Sequence, residues 1–475
     1  MKRFYTLYLT LFLFGTLLNA QDLVSVTYKG SRTKAQMVAD YGFFMQYGID
    51  RYKFQYTTLD VHGNLDTASG LFVLPRVDAA NLPLLVYQHG TVGSKEEVPS
   101  NLSGGYELAE VYGAMGYATV APDYLGLGDA RGFHPYLHAA TEASAAIDML
   151  YAARQYLEND PDFEDNGKLF ITGYSQGGHA SAALHRELEA NYAAEWPVTA
   201  AAHMSGPYRL SGTIQEFANN EEPYSTPGYV PNMILGLNEA YQLFTDLAQI
   251  FREPYLSPIR DYYNNDIDLW NLNQTLIDLL TTEQGAAIPK YMLQDSVRMA
   301  LATNPNHPIN LALADNDVYD WAPQAPTRLY YCTADEQVPY TNSVFADSVM
   351  NANGAPDVIS IDVNPTASHT ECVEPAVTSA IFFFLPLQGL MVSSEEVAAL
   401  KPVQVYPNPA SHTIWVEGLQ AGDVLQLLSP TGQLLERRRS GGNLEEWPLQ
   451  GYTPGVYWMQ VLGNKGVSVQ KVVVE

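Results

Sequence analysis

Apolar and polar positions change their period several times along the chain. Near 52–60 and 68–76, YKFQYTTLD and ASGLFVLPR flank VHGNLDT, and this spacing predicts a hairpin. LPLLVYQHG is a short unbroken apolar run that stops at a glycine, and GYATVAPDY is another; both read as buried strands. TEASAAIDMLYAARQYLEND then carries its apolar residues at helical spacing. KLFITGYS reads as a strand, SQGGHASAALHRELEAN as a helix and VTAAAHMSG as a strand. Strands and helices taken in turn imply a mainly parallel sheet wrapped by helices, an α/β fold.

The alternation lapses over about 207–325, which is rich in Tyr, Asn, Asp and Leu and holds helical patches such as NEAYQLFTDLAQIF and YMLQDSVRMALA. This stretch is expected to be a helical insertion. PTRLYYCTADEQVP and PDVISIDVN resume the sheet, and EPAVTSAIFFFLPL closes the unit near residue 390. Residues 391–403 read as a junction. From 404 to 475 the pattern becomes short alternating strands separated by Gly, Pro and Asn turns, which predicts a small all-β sandwich. No internal repeat is visible, which argues against solenoids and propellers.

The first twenty residues follow a different logic. Lys2 and Arg3 precede a mostly apolar run from Leu7 to Leu18, too short to span a bilayer, and Leu-Asn-Ala stands before Gln21. Residues 1–20 are expected to be a secretory signal peptide. The net charge of −27 excludes the basic surface that nucleic acids require. An apolar content of 47% in 475 residues allows a large core and more than one folded unit. Cys332 and Cys372 are the only cysteines; in an exported chain they either pair or remain two buried thiols.

Candidate chemistry begins at ITGYSQGGHA. Gly173-Tyr174-Ser175-Gln176-Gly177 falls where a strand is expected to become a helix. In that setting the serine occupies a strained turn that only glycine neighbours allow, and its hydroxyl is presented as a nucleophile. A serine needs a base, and the base needs a carboxylate to orient it. Of the ten histidines, only His369 and His412 follow the point where the sheet resumes, and His412 belongs to the predicted sandwich. His369 is therefore the candidate base. Asp335 follows the preceding strand and is the candidate acid, with Glu336 and Asp347 as weaker alternatives further along.

Cys332 stands three residues before Asp335 and Cys372 three after His369. An Asp335–His369 hydrogen bond would bring the two sulfurs together, so a disulfide clamping both loops is expected. Oxyanion donors are expected from the backbone N–H groups of Gln176, just past the nucleophile, and Thr91, just past His89-Gly90. His89, Tyr124 and Tyr174 are expected to line the substrate pocket. His134 and His138 share i, i+4 spacing, but Pro135 works against a regular helix there and no further ligand completes a metal site.

With YQHGT, APDYLGLGDARGFHPYLHAATEASAAIDML, GYSQGGHA, TADEQVP and SHTEC in this order, residues 30–390 resemble the α/β-hydrolases, and within them the secreted lipase- and esterase-like members. The resemblance implies a catalytic unit over 21–390 and a helical cap over about 207–325. It implies a Ser175, Asp335, His369 triad that cleaves carboxylic esters, small or lipid, with no cofactor. This chain lacks a run of glycines after His89, a departure from one common form of oxyanion loop. VYPNPASHTIWVEG, SPTGQLL, GVYWMQV and QKVVV resemble the C-terminal sorting domain of type IX secretion, which implies outer-membrane secretion machinery as a partner and export to the cell surface or beyond. The same triad and fold also serve peptidases, and a catalytically dead surface protein would keep the fold alone; ester turnover and active-site labelling separate these readings.

Overall fold

The computed structural model describes residues 21–42, 44–78, 80–219, 221–392, 403–429, 434–463 and 466–475. The predicted signal peptide, and residues 393–402 of the predicted junction, lie outside them.

The first unit begins with β1 (Leu23–Arg32), α1 (Lys34–Tyr41), β2 (Ile49–Leu59), β3 (Leu65–Pro75) and β4 (Ala80–Gln88). It continues through α2 (Tyr106–Ala114), β5 (Ala118–Pro122), α3 (Ala139–Glu158), β6 (Phe163–Tyr174), α4 (Gln176–Asn191) and β7 (Val198–Met204). Between β7 and the next strand come α5 (Leu210–Asn219), α6 (Tyr229–Tyr241), α7 (Leu256–Tyr263), α8 (Leu269–Gln284), α9 (Asp295–Thr303) and α10 (Pro308–Asp315). The sheet then resumes with β8 (Thr327–Tyr331), α11 (Thr341–Ala352), β9 (Val358–Asp362), α12 (Val373–Phe384) and β10 (Met391–Val392).

Strand order is β1-β2-β3-β5-β4-β6-β7-β8-β9, with β10 on β4. The run from β5 to β9 is parallel, while β1, β2, β3 and β5 pair antiparallel. The predicted hairpin is the β2–β3 pair, in register from Ile49↔Pro75 to Leu59↔Leu65. Met391 and Val392, expected as the start of a junction, pair instead with Asn81 and Ala80. They occupy the start of β4, below the point where β5 begins to pair at Leu84.

Parallel pairing explains the continuous apolar strands. Leu84, Leu85, Val86, Phe170, Ile171, Ala200, Ala201 and Ala202 are all buried, because helices cover both faces. On one face α3 presents Ala145, Ala146, Ala152 and Ala153, whose small side chains bring the helix close to the strands. On the other, α2 and α12 pack Tyr112, Ala376, Ile381 and Phe384 against Phe170 and Met204. The helices between β7 and β8 build their own core from Leu237, Phe251, Ile259, Leu272, Leu276 and Leu313. Among the described residues, no helix is long and apolar enough to cross a membrane.

The C-terminal unit comprises β11 (Gln404–Tyr406), β12 (Thr413–Glu417), β13 (Val424–Leu428), β14 (Leu434–Arg439), β15 (Leu444–Pro448), β16 (Gly455–Gly463) and β17 (Gly466–Val474). One sheet runs β11-β12-β15 and the other β14-β13-β16-β17. Ile414, Val416, Leu425, Leu427, Trp447, Met459 and Val472 fill the space they share.

Candidate active site

Ser175 stands between the last residue of β6 and the first of α4. Its φ of 61° and ψ of −122° are costly for a residue with a side chain. The conformation is held because the Ser175 N–H still bonds Met204 O at 3.0 Å, continuing the ladder to β7. Glycine is required on both sides. A Cβ on Gly173 would lie 2.1 Å from Gly177 O, and one on Gly177 would lie 2.0 Å from Gln88 O.

β8 ends at Tyr331 and β9 at Asp362, so the loops that follow emerge at the same end of the sheet as Ser175. Those loops carry Asp335 and His369. His369 Nε2 is 2.9 Å from Ser175 Oγ, and His369 Nδ1 is 2.7 Å from Asp335 Oδ2. The other Asp335 oxygen accepts the N–H groups of Gln337 at 3.0 Å and Val338 at 2.8 Å. All three side chains are largely buried, at 9%, 8% and 6% exposure for Ser175, Asp335 and His369. Cys332 and Cys372 form a disulfide, as expected in an exported chain. Glu336 does not compete for the imidazole; its Oε2 accepts the backbone N–H of His369 at 3.0 Å. Asp347 is occupied elsewhere, with Ser360 and Asn351.

Gln176 opens α4, so its N–H has no acceptor within the helix. A Cβ built on Gly90 would lie 3.7 Å from Ser175 Cβ, which sets the 89–91 turn beside Ser175 and Thr91 next along the chain. Neither the Gln176 nor the Thr91 N–H bonds another group among the described residues. The Thr91 hydroxyl shares a 2.7 Å hydrogen bond with Tyr136.

A cavity of about 60 Å³ opens on Ser175 and Gln176, with Tyr136, Leu210, Tyr224, Val230, Met233 and Val338 in its walls. Its lining is mainly apolar. A larger, more polar cleft of about 560 Å³ shares Tyr136 and Gln176 with it and reaches Asn232, Tyr262 and Asp268.

Three expected pocket residues line neither space, and each has a packing reason. The Tyr174 hydroxyl donates to His369 O at 2.5 Å. The Tyr124 hydroxyl donates to His89 O at 2.8 Å, and the His89 ring stacks on Tyr124 with centroids 4.2 Å apart. Both His89 nitrogens face main-chain oxygens, Gly90 at 2.8 Å and Asp123 at 3.2 Å. These side chains stand behind the site, where burial pushes the Tyr174 hydroxyl up and the His89 imidazole down in pKa.

His134 and His138 do not converge. His134 Nδ1–H donates to Leu125 O at 2.8 Å, and its Nε2 accepts from Gln176 Nε2 at 2.8 Å. Burial lowers its pKa to about 3, which fits that acceptor role. His138 bonds Thr141 at 3.0 Å. Among the described residues, no three His, Cys, Asp or Glu side chains are grouped to hold a metal ion.

The sequence gives little sign of a buried polar chain beneath Ser175. Gln176 Nε2 also donates to Glu142 Oε1 at 3.1 Å, Glu142 Oε2 lies 2.7 Å from His179 Nδ1, and His179 Nε2 lies 2.8 Å from Asn316 O. Asn316 Oδ1 in turn accepts the Ala139 N–H at 2.7 Å. The chain links the start of α3, the start of α4 and the residue after α10. The one local signal was a glutamate in the alanine-rich face of α3.

Comparisons with known proteins bear on the family and the fold. A family model described as secretory lipase matches residues 99–369, and one described as a secretion system C-terminal sorting domain matches 404–475. The crystal structure of the rice cell wall degrading esterase LipA from Xanthomonas oryzae superposes with a TM-score of 0.67 at 28% identity, covering 78% of this chain and 98% of that one. A ligand-bound form of the same esterase gives a TM-score of 0.68 at 27% identity, again covering 78% and 98%. Candida antarctica lipase A, at 14% identity, a TM-score of 0.58 and 78% and 82% coverage, shares the fold. No curated protein sequence matched. The tail is a type IX secretion sorting domain, which makes the protein a secreted or cell-surface one. With the match over 99–369 spanning Ser175, Asp335 and His369, the chain belongs to the secretory lipase family and has an α/β-hydrolase fold.

Proposed function

We propose that the protein is a carboxylic ester hydrolase that works through an acyl-enzyme, with Ser175 as nucleophile, His369 as general base and acid, and Asp335 as the group that orients the imidazole. The observation that carries this reading is the unbroken hydrogen-bond path from Ser175 Oγ through both His369 nitrogens to Asp335, at 2.9 and 2.7 Å.

As Ser175 Oγ bonds to the ester carbonyl carbon, its proton passes to His369 Nε2 and the carbonyl π electrons move onto oxygen. The N–H groups of Gln176 and Thr91 receive that oxyanion. When the C=O bond re-forms, the alkoxide leaves and takes the proton from His369. Water then repeats the sequence on the acyl-enzyme, releasing the acid and restoring Ser175. The small apolar cavity suits the acyl group and the larger polar cleft the alcohol.

The test is turnover of p-nitrophenyl esters beside aminoacyl anilides, with a fluorophosphonate probe for the nucleophile. The parent protein is expected to hydrolyse the esters and take the label. Ser175→Ala is expected to fold normally and lose both, with kcat down by about a millionfold. Anilide turnover without ester turnover would overturn the esterase reading, and ester turnover by Ser175→Ala the nucleophile.

A further inference from the structure

His369 sits in the loop between β9 and α12, where no ladder or helix fixes its peptide groups. Its ring must nevertheless meet two partners at once, at 2.9 and 2.7 Å. Among the described residues, two side chains hold its main chain, one on each side. The Tyr174 hydroxyl donates to His369 O at 2.5 Å, and Glu336 Oε2 accepts the His369 N–H at 3.0 Å. Tyr174 immediately precedes Ser175, and Glu336 immediately follows Asp335. The Tyr174 and His369 rings also pack together, with centroids 5.0 Å apart.

We propose that Tyr174 and Glu336 are positioning residues that pin the backbone of His369 to the elements carrying its two partners. The inference rests on the reading of Ser175, His369 and Asp335 as a triad. Its physical content is that each partner's chain neighbour holds one of the two peptide groups that flank the base. Any drift of the elbow or the acid loop then carries the imidazole with it, and the two short side-chain hydrogen bonds survive together. Without the pins a loop residue would sample positions in which one of the two is broken, and displacements on the order of 1 Å are enough to cost about a hundredfold in rate. Neither Tyr174 nor Glu336 lines the cavity on Ser175, so losing a pin should leave substrate binding alone.

Tyr174→Phe deletes the donor and keeps the ring. Glu336→Ala deletes the acceptor, while Glu336→Gln keeps an oxygen that can take the same N–H. For Tyr174→Phe and Glu336→Ala the expected result with a p-nitrophenyl ester is a kcat lower by about tenfold to a hundredfold with KM within about twofold of the parent. Glu336→Gln is expected to recover most of the loss. The low-field proton resonance of the His369 Nδ1–H held by Asp335 should broaden or vanish in Tyr174→Phe. The Glu336 side chain is exposed, so its two variants give the answer even if Tyr174→Phe fails to fold. Folded variants that keep the parent kcat, that lose activity through KM alone, or in which Gln and Ala at 336 behave alike would overturn the proposal. A parent protein that takes no fluorophosphonate label would remove the triad reading instead; a labelled parent with an equally fast Tyr174→Phe removes this inference only.

Discussion

Cys332 and Cys372 are joined across a sequence separation of 40, one three residues before Asp335 and the other three after His369. The bond ties together the loops after β8 and β9 at the point where they carry Asp335 and His369. Closing a loop of that length in the unfolded chain contributes about 3–4 kcal/mol in the loop-entropy account. Replacing both cysteines by alanine is therefore expected to lower the melting temperature by several degrees. Because the 335–369 hydrogen bond depends on the same loops, kcat should fall more than KM rises. Thermal melts with and without reductant, read beside ester kinetics, check both.

The elbow glycines allow a sharper test. Alanine at Gly177 would put a methyl 2.0 Å from Gln88 O, and backbone there belongs to β4 in the middle of the sheet and cannot yield cheaply. Gly177→Ala is expected to lose fluorophosphonate labelling along with stability. Gly442→Ala, where nothing lies within 4 Å, is the control and should behave as the parent.

A cavity of about 60 Å³ holds far less than the roughly 150 Å³ that admits a benzene ring, which favours short acyl groups. Turnover should be highest for p-nitrophenyl acetate to butyrate and fall steeply by the decanoate. Met233→Ala, by removing part of the wall, is expected to shift the optimum toward longer acyl chains by about tenfold in relative kcat/KM.

Acid should destabilise the fold before it protonates most surface carboxylates. Burial depresses His134 to about 3 and His138 to about 4 from the usual 6.5, and displaces His89 and His203 the same way. A depressed histidine contributes its stability above 6.5; that stability is lost as pH falls toward the folded value, because the unfolded chain binds the proton first. At about 1.4 kcal/mol per unit, the two together amount to several kcal/mol by pH 4. Asp148, raised by burial to about 6, opposes this, since its penalty in the folded state is relieved on acidification, but over a narrower span. Urea midpoints should therefore drop between pH 6.5 and 4, and His134→Gln should flatten the slope.

The sheet was legible because parallel strands buried on both faces leave unbroken apolar runs such as LPLLVYQHG, and because Gly173 and Gly177 mark a turn that nothing else explains. The Ser, Asp, His order narrowed ten histidines to His369, and the structure brings it to Ser175 and Asp335. α2 escaped detection because it is short and Ala109 through Ala114 are all buried, Glu110 among them because Arg32 and Arg51 pair with it, so only Glu107 and Glu110 hint at a polar face and the helical period is weak. β1 escaped because it is an edge strand whose Val24 and Tyr28 face solvent. Tyr174 reads as a pocket residue because it is an aromatic beside Ser175, yet its hydrogen-bond partner lies 195 residues away. The Gln176–Glu142–His179–Asn316 chain is hidden for the same reason: its links span up to 137 residues, and no local pattern encodes them.

Met391 and Val392 lie on the first two residues of β4, whereas Ser175 and the 89–91 turn stand past that strand's last residue. The chain thus leaves the hydrolase unit from the end of the sheet opposite its mouth. The tether to the export signal therefore shares a strand with the turn beside Ser175 but sits at that strand's other end.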